Sequence, residues 1–433
     1  MSLGSEYGRR RTTPDGIAAQ IRDGWTVCTD IAASVPPAIL EALGDRAAAG
    51  EVERVTLHTM LDLRPMSCLG AEAARGITPV SWFSGAGLRA GVEEGRIDVM
   101  PCYYRDMPGL FQGLGKIDAF CAAVSPMDRH GYFSMGVVGS VSEVLLQKAE
   151  RIYLEVNPRM PRALSAPMVH ISRVTALCEH DAPLPISPPP VIDQVSRTIG
   201  GLIAEEVPNG ATLQLGIGAV PEAVGLDLRD KHDLGIHTEL FTDSMVELIA
   251  CGAATNQRKP LHRGRSVATL AFGSQRVYDY IDDNPAFLML PVDQVNDPAV
   301  IARHPDFISV NAALEVDLFG QVCAESVGPR HVSGSGGQAD YVRGAIQSPG
   351  GKSFIAFPST AKGGTVSRIK PTLTTGAVVT TSKNDVDYIV TEYGLAKLRG
   401  RTLAQRARAL ITIAHPDFRE ELTYQAKRQN III

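Results

Sequence analysis

No run of apolar residues in this 433-residue chain approaches the ~20 that a membrane-spanning helix needs, so no membrane association is expected. An excess of charge is missing too. The 42 Lys and Arg stand against 47 Asp and Glu, a formal charge of -5 that leaves no electrostatic footprint for nucleic acid. Paired cysteines are absent: Cys28, Cys68, Cys102, Cys121, Cys178, Cys251 and Cys323 are scattered, odd in number and contain no Cys-x-x-Cys. The ten histidines lack metal-ligand spacing. These gaps argue against a disulfide framework and a zinc site, and for a reducing, cytoplasmic compartment. The opening stretch MSLGSEYGRRRTT carries no apolar signal region.

What is present is a globular composition, 44% hydrophobic and 21% charged, in a chain long enough for two domains. Short apolar segments at 52–58, 97–101, 117–124 and 151–156 alternate with helical ones such as 141–150. This is α/β patterning with mainly parallel strands. The proline-rich stretch DAPLPISPPP (181–190) can be neither helix nor central strand and reads as a linker. The expected domains are therefore 1–182 and 191–433, with 183–190 between them.

After the linker the pattern starts again. Gly24 is matched by Gly210, Met100-Pro101 by Leu290-Pro291, and Asp128-Arg129-His130-Gly131 by Asp317-Leu318-Phe319-Gly320. The offsets, 186, 190 and 189 residues, are nearly constant, as duplication of one α/β domain would produce. Two similar domains leave a cleft, a usual place for ligands, and the active site is expected there.

The stretch Leu213 to Glu247 concentrates the chemistry. Thr212 to Leu215 reads as a buried strand, followed by the sharp turn Gly216-Ile217-Gly218-Ala219-Val220-Pro221, with Pro221 suited to the first position of a helix. Bare backbone at Gly216 and Gly218 admits a ligand closely, and the N–H groups of a helix start attract anions. Gly235-Ile236-His237-Thr238-Glu239 is a second short strand ending in a carboxylate. Strand C-termini of α/β sheets are where ligands sit. Further glycine-rich turns at 272–274, 333–338, 348–352 and 359–364 suit a long, phosphate-bearing ligand.

Jointly, LQLGIGAVPEAV (213–224), DLGIHTELFTDSMVEL (233–248), NAALEVDLFGQVCAESVG (311–328), SGSGGQADYVRGA (333–345), VTEYGLAKLRG (390–400) and RARALITIAHPDFREEL (406–422) resemble the acetyl-CoA hydrolase/transferase family, the glutamate-dependent CoA-transferases. VSPMDRHGYFSMG (124–136) and VNPRMPR (156–162) are similar to family segments as well. The resemblance implies two similar α/β domains with the active site between them. It implies Glu239 as nucleophile and coenzyme A contacts at Gly216, Ile217, Gly218, Ala219, Val220, Leu314, Gly336 and Gly337. No metal is implied.

The expected reaction moves CoA from an acyl-CoA (acetyl-, butyryl- or succinyl-CoA) to a small carboxylic acid such as 4-hydroxybutyrate or butyrate. It runs by a ping-pong route through a glutamyl-CoA thioester. The loop Gly334 to Gly337 is the candidate oxyanion donor, since glycine exposes its N–H. Cys102-Tyr103-Tyr104-Arg105 departs from the family's usual apolar and small residues, and Arg105 could pair with the second carboxylate of a dicarboxylic acceptor such as itaconate or succinate; the bland alternative is that it ties down Asp106. Two rival readings remain: an acyl-CoA hydrolase using the same Glu239, and a non-catalytic CoA-binding module. His237 either orients the site or packs. Glu392 and His415 read as scaffold, with Asp417 capping a helix. Lys352 and Lys362 either meet CoA phosphates or are solvated. A homo-oligomer is expected on general grounds for a large α/β enzyme.

Overall fold

The computed structural model describes residues 2–188 and 190–433; Met1, at the head of the expected first domain, and Pro189, in the expected linker, lie outside them. The chain divides into two compact units that are not contiguous in sequence. One comprises Met1–Ser187, Val267–Gln294 and Val332–Gly334, the other Pro188–Ser266, Val295–His331 and Ser335–Ile433. Two segments beyond the proline-rich stretch thus return to the first unit, which a single boundary near residue 190 does not capture.

In the first unit seven parallel strands form one sheet, in the order Asp98–Val99, Ile77–Ser81, Val55–Thr59, Thr26–Thr29, Ala119–Val124, Arg151–Val156, Ala176–Glu179. A parallel sheet covered on both faces needs continuously apolar strands. Ala119–Val124, AFCAAV, is buried at all six positions. The one carboxylate in the neighbouring strand, Glu155, is buried but satisfied. It accepts from the N–H groups of Ala38 (2.8 Å) and Ile39 (3.2 Å) at the start of helix Pro37–Ala48, and its other oxygen lies 2.7 Å from His180 Nδ1.

In the second unit the strand order is Gly235–Phe241, Thr212–Leu215, Phe307–Ala312, Lys352–Ala356, Tyr388–Thr391, Gly394–Lys397. The first five run parallel and the last pair forms an antiparallel hairpin. Among the described residues no helix is long and apolar enough to cross a membrane.

The duplication is visible in detail. Thr26–Thr29 and Thr212–Leu215 each lie between the strand that follows in the chain and a later one, Ala119–Val124 or Phe307–Ala312. Beyond those later strands the two D-x-x-G segments form the same turn. Asp128 Oδ1 accepts from the N–H groups of His130 (2.8 Å) and Tyr132 (2.9 Å), with Gly131 at φ +87. Asp317 Oδ1 accepts from those of Phe319 (3.0 Å) and Gln321 (2.9 Å), with Gly320 at φ +90. A side-chain oxygen standing in for a backbone acceptor is what makes Asp the turn residue here.

Helix starts are less legible. The helix after the Gly-Ile-Gly turn is Ala219–Asp227, so Pro221 is its third residue rather than its first. Proline is tolerated there because N–H groups of the first turn have no partner inside the helix. His415, not Asp417, caps helix Pro416–Arg428, its Nδ1 accepting from Asp417 N–H at 3.3 Å.

Asp317 is 1% exposed, so its removal strands two backbone donors. Asp317→Ala is expected to lower the unfolding free energy by about 3 kcal/mol, with Asp317→Asn milder because it keeps one acceptor. Urea midpoints of the two variants at constant slope would measure this.

Candidate active site

Strands Thr212–Leu215, Gly235–Phe241 and Phe307–Ala312 are adjacent and parallel, so their C-terminal ends share one edge of the second unit's sheet. That edge collects the Gly216–Val220 turn, Glu239 and the segment leading to Leu314. Beneath the turn lies a buried polar group. Gln214 Oε1 accepts from Ser309 Oγ (2.8 Å) and Asn311 Nδ2 (3.2 Å), and Asn311 Nδ2 also lies 2.9 Å from Ser309 Oγ. In the turn itself Ile217 is 63% exposed, an apolar side chain held out from the sheet edge. Gly218 has φ +113, a conformation open to glycine, and caps the helix.

Glu239 is half-buried and has two neutral donors on its carboxylate. Asn296 Nδ2 lies 2.7 Å from Oε2, and the Gly337 N–H is the second. Burial pushes the carboxyl up to about 7, against the pull of these two bonds. Gly337 caps helix Gln338–Gln347, so the helix's positive end also faces the charge. The approach is so close that only glycine fits. A Cβ on Gly337 would stand 1.9 Å from Glu239 Oε2 and 2.3 Å from Asn296 Nδ2.

Behind Glu239 the strand is anchored by unusual residues. Lys259 is buried and donates from Nζ to the carbonyls of Ile236 and Arg265, both at 2.7 Å; burial brings it down to about 7. A Cβ on Gly235 would come 2.6 Å from Lys259 Cγ, which explains the glycine that opens the GIHTE segment. His237 packs on His304, ring centroids 4.9 Å apart, and its Nε2 lies 2.7 Å from the Val295 carbonyl.

The remaining sequence candidates separate. Gly336 (φ +53) and Gly337 lead into the helix, and Gly334, itself part of the first unit, packs against Phe83 and Trp82 there. Gly337 is the member of the 334–337 loop whose N–H reaches Glu239. Leu314 is half-buried, its N–H on the Cys323 carbonyl at 2.8 Å. Lys352 pairs with Glu206 at 2.6 Å, and Glu392 accepts from the Ser359 N–H (2.8 Å) and Oγ (2.6 Å). Lys362 lies in an exposed turn. Arg105 Nε is 3.3 Å from Asp106 Oδ1, as expected of a side chain tying down its neighbour. No group of three His, Cys, Asp or Glu among the described residues could hold a metal ion.

Sequence reasoning missed Asn296 and Tyr341, which lie far along the chain from Glu239 and carry no local signature. It also missed a readable signal. Strand registers equate Thr56 with Gly235, since these residues pair with Thr26 and Thr212, the first residues of the duplicated strands. Counting on, His58-Thr59-Met60 corresponds to His237-Thr238-Glu239. The first repeat keeps His-Thr and has methionine where the second has the carboxylate.

Residues 1–188 match the acetyl-CoA hydrolase/transferase N-terminal domain and residues 273–426 the corresponding C-terminal domain. The chain belongs to the acetyl-CoA hydrolase/transferase family. It is 44% identical over 431 residues to the succinyl-CoA:cyclohexane-1-carboxylate CoA transferase of Geobacter metallireducens, covering 100% of this chain and 98% of that one. It is 45% identical over 348 residues to the 4-hydroxybutyrate coenzyme A transferase of Clostridium kluyveri, 80% and 81% of the two chains. The crystal structure of RipA from Yersinia pestis matches with a TM-score of 0.95 at 41% identity over all of both chains.

The raised Glu239 has a stability consequence. Its folded value, about 7, exceeds the ordinary glutamate value of about 4.5, so the folded state holds the proton more tightly. The associated stability is present below pH ~4.5 and is lost as pH rises through ~7. Glu239→Gln, neutral throughout, is expected to melt like wild type near pH 4.5 and to exceed it by about 3 kcal/mol at pH 8. A difference that does not grow with pH would contradict the burial argument.

Proposed function

We propose that the chain is an acyl-CoA:carboxylate CoA-transferase in which Glu239 is the nucleophile. One observation carries this reading: a carboxylate held by the Asn296 amide and the Gly337 N–H, with neutral donors in place of a cation. A paired cation would stabilise the ionised form and blunt its attack. Neutral donors leave it near 7, where an ionised fraction is available and nucleophilic.

In the proposed route a Glu239 oxygen attacks the acyl carbon of the donor. The C–S bond breaks, thiolate leaves, and a mixed anhydride remains. The thiolate then attacks the glutamyl carbonyl carbon and expels the donor's acid, leaving a glutamyl-CoA thioester. An incoming carboxylate attacks this thioester and the sequence reverses. Gly337 N–H and Asn296 Nδ2, already on a carboxylate oxygen, are aimed where negative charge gathers when that carbonyl becomes tetrahedral. Losing one such donor costs on the order of 3 kcal/mol in the transition state. The Gly216–Val220 turn and the 314 and 336–337 segments supply the CoA contacts, Ile217 and the bare backbone meeting the pantetheine arm.

The names of the relatives support succinyl-CoA or another small acyl-CoA as donor and a small carboxylic acid as acceptor. Rates with acetate, butyrate, 4-hydroxybutyrate, succinate and itaconate rank the acceptors, and thiol release without any acid measures the hydrolase alternative. A dicarboxylate preference that survives in Arg105→Ala would remove Arg105 from acceptor selection.

Incubation with acyl-CoA followed by borohydride should convert Glu239, and one residue per chain, to the reduced alcohol, as read by peptide mass spectrometry. Modification elsewhere would end the assignment. Glu239→Asp should lose at least about 100-fold in kcat, because the shorter arm draws the attacking oxygen back by on the order of 1 Å. In wild type kcat/KM for the donor should rise with pH to a plateau above about 7, following ionisation of Glu239.

A further inference from the structure

We propose that His237 and Tyr341 are positioning residues for the nucleophile: His237 pins the Val295–Asn296 peptide, and Tyr341 fixes which end of the Asn296 amide faces the Glu239 carboxylate. The inference rests on the reading of Glu239 as nucleophile and deepens it.

The chain of contacts is short and buried. A carbonyl oxygen can only accept, so the 2.7 Å contact between His237 Nε2 and the Val295 carbonyl puts the imidazole proton on Nε2. The ring stays neutral. Burial holds His237 well below its ordinary value, and His304 beside it is brought down to about 3 by burial, with Lys259, His262 and Arg303 adding to the effect. A neutral ring with a fixed tautomer is a constant tether across the working pH range. It holds the residue next to Asn296 in place.

The Asn296 side chain has two ends of nearly equal shape and opposite polarity. Only the NH₂ end can stabilise a carboxylate; the carbonyl end would repel it. Tyr341 OH lies 3.2 Å from Asn296 Oδ1. The phenol donates and Oδ1 accepts, so Nδ2 is left to Glu239 at 2.7 Å. Tyr341 is itself enclosed by its packing. It is fully buried and stacked on Phe307 at 6.0 Å between ring centroids, and its own N–H bonds to the Gly337 carbonyl. One helical turn thus carries both controls on the carboxylate. Gly337 supplies a backbone donor, and Tyr341, four residues on, orients the side-chain donor.

The test compares Tyr341→Phe, His237→Phe and His237→Gln with wild type in steady-state kinetics over pH 5.5–9 and in borohydride trapping. Tyr341→Phe frees the amide to turn over, so kcat should fall roughly tenfold while KM for the donor changes less than about twofold. The acid limb of kcat/KM should move up by about one pH unit, because the carboxylate loses part of its hydrogen-bond support. His237→Phe should behave alike, and His237→Gln, which places an amide N–H near the lost Nε2–H, should recover most of the rate. A fall in kcat with an unmoved acid limb, or wild-type kinetics in both phenylalanine variants, overturns the inference. Trapping separates the two levels. A wild-type adduct elsewhere than Glu239 ends the nucleophile reading, whereas an adduct on Glu239 forming at wild-type rate in Tyr341→Phe ends only this one.

Discussion

A carboxylate with no counter-cation among the described residues is the constraint around which the second unit is built. Two hydrogen bonds from neutral groups, the Asn296 amide and the Gly337 N–H, replace the hydration that burial removes from Glu239. Replacement is incomplete, which is why the acid stays near neutrality instead of falling into the usual carboxylate range. Lys259, buried beneath this strand, spends its Nζ on two backbone carbonyls and is itself drawn down by burial. Had it reached Glu239, the pair would have been a structural ion pair with the carboxyl held low. Under the proposed reading, reactivity is a matter of which donors are withheld.

Such a group needs a scaffold that cannot relax around it. The backbone of Gly337 comes so near the carboxylate that no side chain fits. Gly235 is bare for a similar reason, giving room to the Lys259 stem beneath the strand. Gly235 and Gly337 are thus explained by close approach and not by flexibility. The helix that begins after Gly337 adds its dipole at the point of greatest charge. Together these contacts fix the Glu239 carboxylate between the Asn296 amide and the Gly337 backbone.

Much of this was legible beforehand where it depended on local pattern. The strand Thr212–Leu215, the Gly-Ile-Gly turn, the carboxylate at the end of GIHTE and the duplicated α/β order all follow from apolar runs and turn chemistry. The D-x-x-G turns were legible because one Asp side chain does the same work at each. What escaped depends on distance along the chain. Three helices and two strands separate Asn296 from Glu239 along the chain, and nothing about V-N-D-P says that its amide meets a carboxylate. From sequence, the lysine beside the SPGGK glycines could either meet a phosphate or be solvated. It pairs with Glu206, a partner visible only once the sheet is assembled. Helix starts shifted by two residues because Pro221 is acceptable anywhere in a first turn.

The duplication is also unequal, and the inequality follows from the chemistry. Register equates Met60 with Glu239 and retains His58 and Thr59 before it. His58 has changed partners: its Nδ1 accepts from the Trp82 indole at 3.0 Å, whereas His237 donates to a backbone carbonyl. The first repeat therefore has the strand and the histidine but neither the carboxylate nor the tether that would orient a donor to it. Under the proposed route this is sufficient. Donor and acceptor half-reactions are the same step run in opposite directions, and one carboxylate serves each in turn. A second buried glutamate would add the desolvation cost that Glu239 already carries without adding a step for it to perform. Methionine, apolar and adaptable in shape, fills the equivalent position without that cost.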